Sequence, residues 1–99
     1  MPEVYFEVRW PDGRRERYYS PSRAVRTQLE QGRAYRTPEF IEHVESAMLV
    51  ASERVRAKYG YACSSAADTL ARIRAQAQEL PSTLREHGEV VVLHLDDPG

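Results

Sequence analysis

Residues 4–10 read Val-Tyr-Phe-Glu-Val-Arg-Trp, and the alternation of Val4, Phe6, Val8 and Trp10 with polar-tipped neighbours constrains this chain more than any other feature. A period of two belongs to a strand with one face buried. Pro11-Asp12-Gly13 follows directly. Proline presets φ for the first turn position and glycine accepts the left-handed one, so the strand turns back on itself. The second strand runs from Arg14 to about Tyr19. A three-residue loop with a bulge at Gly13 sets Trp10 opposite Arg14. Phe6–Tyr18 and Val8–Glu16 then share the core side, with Glu7–Arg17 and Tyr5–Tyr19 on the outer side. A two-residue loop would shift every pair by one.

Helix signals fill the middle of the chain. Ser20-Pro21 has the form of a cap followed by a first-turn proline, and predicts a helix to about Gln31 with Val25 and Leu29 inward and a stop at Gly32. Residues 33–36 read as loop. Thr37-Pro38 repeats the cap-plus-proline signal and opens the longest helix, about 38–59, with Phe40, Ile41, Val44, Met48, Ala51 and Val55 on one stripe. Gly60 ends it, and Arg54, Arg56 and Lys58 suit the negative end of its dipole. Ser65-Ala66-Ala67-Asp68 resembles a capping box and opens a third helix, with Leu70, Ile73, Ala77 and Leu80 inward and Pro81 as the stop. A short polar stretch leads to Gly88. The run 89–95, Glu-Val-Val-Val-Leu-His-Leu, is the final strand, and 96–99 reads as a frayed tail.

That last strand is apolar on both faces, as in strands lying mid-sheet or covered twice. The expected architecture is therefore α+β in two layers. A three-stranded sheet, the N-terminal hairpin plus the C-terminal strand, carries three helices on one face in the order ββαααβ. Residues 1–99 make one domain, since 99 residues with 41% apolar and 29% charged side chains build one core and not two. The uncovered sheet face predicts a homodimer.

Composition excludes several roles. No apolar run approaches the ~20 residues that span a bilayer, and the first residues lack a signal peptide's basic and apolar segments. The single cysteine, Cys63, forms no internal disulfide and fits a reducing, cytoplasmic compartment. Net charge is −1, so no global field draws the chain to nucleic acid or anionic lipid. The charge is nonetheless uneven: residues 1–36 hold eight Arg against five acids, whereas 37–99 hold six Lys/Arg against ten acids.

Three places invite chemistry. Cys63 precedes a helix start, where the dipole favours a thiolate, and is the candidate catalytic nucleophile toward a nitrile or acyl carbon. No base lies near it in sequence, and a buried small hydrophobe is the commoner fate of a free cysteine. Ser64 and Ser65 at the same helix start would hold a phosphate or carboxylate, closed by Arg56 or an arginine of 33–36, though serines at such positions ordinarily just cap. The hairpin's outer face gathers Tyr5, Arg9, Arg15, Arg17 and Tyr19, a mixture suited first to a protein interface, then to a small molecule, and last to single-stranded nucleic acid. His43, His87 and His94 do not have metal-ligand spacing, with His43 read as a surface partner of Glu39, so no metal and no cofactor are expected. An acid in the first turn of the 65–80 helix argues against a helix-turn-helix.

Residues 1–13, 19–22 (Tyr-Ser-Pro-Ser) and above all 51–64 (Ala-Ser-Glu-Arg-Val-Arg-Ala-Lys-Tyr-Gly-Tyr-Ala-Cys-Ser) resemble a family of small bacterial nitrogen-starvation-response proteins encoded in gene clusters headed by a nitrilase. The resemblance covers nearly the whole chain. It implies a place beside proteins of the same gene cluster in assimilating nitrogen from nitriles or cyanide, and it carries no catalytic residue across. The leading expectation is thus an accessory protein that binds a ligand or partner and is not an enzyme. A thiol enzyme using Cys63 is the alternative, and a nucleic-acid-binding regulator comes third.

Overall fold

The computed structural model describes residues 4–21, 23–60 and 64–96, with the side chains of Val55, Tyr59, Ser64 and Asp96 left aside. The hairpin forms as its alternation requires. β1 (Val4–Arg9) pairs antiparallel with β2 (Arg15–Ser20), and Tyr5↔Tyr19, Phe6↔Tyr18, Glu7↔Arg17 and Val8↔Glu16 are the partners expected for the three-residue loop. Trp10 N–H donates to the Arg14 carbonyl at 2.8 Å, and Gly13 takes φ +93°. α1 follows (Ala24–Gln28), then β3 (Ala34–Arg36), α2 (Thr37–Tyr59), α3 (Ser64–Gln78), α4 (Ser82–His87) and β4 (Glu89–Asp96).

The expected three strands and three helices are corrected here: the sheet has four antiparallel strands in the order β2-β1-β4-β3, and there are four helices. The closing strand does lie beside the opening one. Three residues carry no period, so the sequence shows 33–36 only as loop. β3 exists because Tyr35 pairs with Val90 and sends its ring into the core. α4 is six residues long, too short to be stable by itself. Packing of Leu84 against the core and the Gly88 N–H bond to the Leu84 carbonyl at 2.9 Å hold it.

Two caps also differ from expectation. Ser20 does not begin α1; it pairs with Val4 as the last residue of β2 and is fully buried. α1 ends at Leu29, extended at φ −122°, rather than running to Gly32. The sheet captures that segment: Gly32 N–H bonds the Val92 carbonyl at 2.7 Å, and Val92 N–H bonds the Arg33 carbonyl at 2.9 Å. Thr37 does not cap α2. Its buried hydroxyl lies 3.2 Å from both the Leu84 and Gly88 carbonyls and ties α2 to the α4–β4 junction. α2 itself ends as expected, at Gly60 with φ +79°.

One cluster of buried side chains joins both layers. The sheet contributes Val4, Phe6, Val8, Trp10, Tyr18, Tyr35, Val90 and Val92, and α2 contributes Phe40, Val44, Ala47, Met48 and Ala51. Val25, Leu29, Ala66, Ile73, Ala77 and Leu80 complete it. Among the described residues no helix is long and apolar enough to cross a membrane.

Candidate ligand-binding face

The pleat of the hairpin sends Tyr5, Glu7 and Arg9 of β1 and Arg15, Arg17 and Tyr19 of β2 to the face away from the helices. On the other side of β1 the pairing slips between Glu7 and Val8, so that Glu7 faces His94 while Val8 faces Val92 and Leu93 has no partner. This bulge changes the meaning of the greasy strand. Beyond it Leu95 lies opposite Phe6 and packs on the core, and exposed His94 takes the outer side. The outer face thus carries the polar residues of the hairpin and His94, with Val91 the half-buried apolar residue beside Arg9 and Leu93 half-buried at the bulge.

The face is ordered by stacking. The rings of Tyr5 and Tyr19 lie 5.5 Å apart at 60°, and the Arg17 guanidinium sits 4.7 Å from the Tyr5 ring centre. Arg9 and Arg15 stand directly opposite each other, both exposed. Among the described residues neither guanidinium has a hydrogen bond or ion pair. Like charges in that relation destabilise a sheet. Arg36 of β3 adds a fourth cation in register with Glu89.

At the hairpin end this face runs into a cleft of about 560 Å³. Its walls come from the turn (Arg9, Trp10, Pro11, Gly13), from α4 (Leu84, His87, Gly88) and from β4 (Glu89, Val91). Gly88 is required where the walls meet: a Cβ there would fall 2.6 Å from both the Leu84 carbonyl oxygen and the Pro11 Cβ. Beneath the cleft Trp10 Nε1–H donates to Tyr18 Oη at 2.9 Å, and Tyr18 Oη–H donates to Gln76 Oε1. Burial pushes the Tyr18 phenol well above its ordinary range, so it is a neutral link in the floor.

Of the sequence-derived candidates, Tyr5, Arg9, Arg15, Arg17 and Tyr19 are brought together. The others are not joined to them. Cys63 lies outside the described residues, as does the side chain of Ser64. Ser65 is exposed on the first turn of α3, and Arg56 is exposed on the last turn of α2. Arg33 and Arg36, the other candidates for closing that site, lie beside and on β3. β3 is the sheet edge opposite β2, along which α3 packs, and Arg33 instead lies 5.0 Å from the Tyr35 ring centre. His43 is no surface partner of Glu39: its Nδ1 is 3.1 Å from Gln28 Oε1 and its ring meets Tyr35 edge-on at 5.3 Å. Among the described residues no three His, Cys, Asp or Glu side chains gather as metal ligands.

Leu84, His87 and Glu89 escaped the sequence reading. Nothing local marks them, and they reach Arg9 only because β4 returns beside β1. The sequence model of one protein family, described as nitrogen starvation-induced protein NitG, matches residues 5–95. Comparison with curated proteins and with solved structures found no match.

Proposed function

Because the chain belongs to the NitG family of nitrogen starvation-induced proteins, we propose that it serves that response as a non-catalytic accessory protein, binding its ligand or partner on the outer face of the sheet. The observation that carries this reading is the pair Arg9 and Arg15, set opposite each other and unanswered by any described carboxylate. Two guanidiniums held by adjacent strands repel each other until an anion bridges them, and Tyr5, Tyr19 and Arg17 beside them are already stacked in place. Such groups hold and orient a bound molecule. The nitrogen source we assign to the pathway is nitriles or cyanide, on the resemblance of residues 51–64 to proteins of nitrilase-headed clusters, whose other products are then the first partners to try.

Self-association suits this face less well. A two-fold axis through the Arg9–Arg15 pair would set the arginines of one copy against those of its twin, and the sheet edges are a poor place for it. β3 is three residues long, and Thr69 and Arg72 of α3 bond the β2 carbonyls of Tyr19 and Arg17 at 2.7 and 3.0 Å.

The test is affinity capture from nitrogen-starved cells with the wild type and with Arg9→Glu/Arg15→Glu, the recovered proteins being identified and the bound small molecules read by mass spectrometry. Products of the chain's own gene neighbourhood, or anionic metabolites, should be retained by the wild type and lost from the variant. A folded variant that retains the same set as the wild type refutes the reading.

A further inference from the structure

We infer that the occupant of this site is a small molecule with one anionic group and an apolar body, the anion bridging Arg9 and Arg15 and the body lying in the cleft between the hairpin turn and α4. The inference rests on the binding reading above and narrows it to a ligand class. Arg9 belongs both to the cation pair and to the cleft wall, so charge and cavity are continuous. The volume of about 560 Å³ lies within the range that takes small organic molecules. Pro11, Leu84 and Val91 give the cleft apolar walls, which an inorganic ion would leave unused.

The far wall sets the sign of the rest of the ligand. Glu89 lies two residues from Val91 along the outer side of β4, and Val91 is the partner of Arg9. A second anionic group reaching in from Arg9 would meet the Glu89 carboxylate, whereas a neutral or cationic end would not. His87, exposed at the rim, offers a hydrogen bond to that end. The class is therefore a molecule with a single phosphate or carboxylate group and a ring or short chain attached. A molecule of the same length with a second anionic group at its far end is disfavoured by charge.

Phenyl phosphate, inorganic phosphate and benzyl alcohol, titrated into the ¹⁵N-labelled full chain, test this directly. Phenyl phosphate should bind about tenfold more tightly than inorganic phosphate and shift the amides of Gly13, His87, Gly88 and Glu89, while benzyl alcohol moves them little. Arg9→Gln/Arg15→Gln, which alters only exposed side chains and should keep the wild-type amide dispersion, should lose about tenfold in phenyl phosphate affinity. Equal affinity for the two phosphates, with shifts confined to the strand residues around Arg9 and Arg15, overturns the use of the cleft and leaves the face as a binding surface. Shifts elsewhere in the molecule, or affinity untouched by the double substitution, overturn the inference. If the capture experiment then also shows no dependence on Arg9 and Arg15, the binding reading fails with it.

Discussion

Gly88 shows how much of the site depends on one missing methyl group. Its φ of −70° is open to any residue, so the constraint is space alone: Leu84 and Pro11 already occupy the position of a side chain. Gly88→Ala should lower stability by about 1–3 kcal/mol through overpacking and loosen the cleft wall, seen as a lower melting temperature and altered Pro11 and His87 resonances. Tyr18 makes a second residue-scale case. Tyr18→Phe keeps the ring and strands the buried Trp10 N–H, at a cost of about 1–3 kcal/mol in urea unfolding at neutral pH. The pH dependence has a definite sign. The folded state raises the phenol's pKa, so its contribution is complete below the unfolded value of about 10 and is lost as pH rises beyond it. The wild type should therefore weaken above about pH 10 more steeply than Tyr18→Phe does, and parallel alkaline curves would show that Tyr18 contributes no linkage.

Among the elements, α3 has a second duty beyond covering the core. It lies along the free edge of β2, with Thr69 and Arg72 bonding two of its carbonyls and Arg72 also reaching Glu16 at 2.7 Å. Arg14 ties the start of β2 to the end of α3 through Glu79 at 2.6 Å and the Gln76 carbonyl at 3.1 Å. An uncovered edge strand invites pairing with another chain. Thr69→Val with Arg72→Ala should lower stability by about 1–2 kcal/mol and introduce concentration-dependent association in sedimentation velocity. A double variant that sediments as the wild type does at every concentration would assign edge protection to something else. α2 was legible because Phe40, Val44, Met48 and Ala51 recur at helical spacing and Gly60 supplies a left-handed stop. β3 and α4 were not, since neither three nor six residues hold enough local information to outweigh their own entropy.

For the whole molecule, the shared core decides stability. Phe40 is fully buried and meets Trp10 edge-on at 5.7 Å, joining α2 to the hairpin. Phe40→Ala should cost about 3–5 kcal/mol, a large part of the roughly 5–15 kcal/mol available to a chain of this size, and chemical denaturation would show it. A loss below about 1.5 kcal/mol would mean that the helical layer closes over the vacancy.

The sequence by itself determined the hairpin, the span of α2 and the presence of a closing strand beside the first, and it proposed Tyr5, Arg9, Arg15, Arg17 and Tyr19 on one face; the choice between the two hairpin registers came from the structure. Each follows from residues a few positions apart: a period of two, a Pro-Asp-Gly turn, a helical stripe ended by glycine. Tertiary structure alone decided that Leu93 bulges and turns Leu95 inward, that residues 34–36 become a strand, that α1 stops at Leu29, and that Glu89 and His87 face Arg9 across a cleft. The free energy of those features comes from partners tens of residues away. No local pattern encodes such partners; only the closed sheet brings them together.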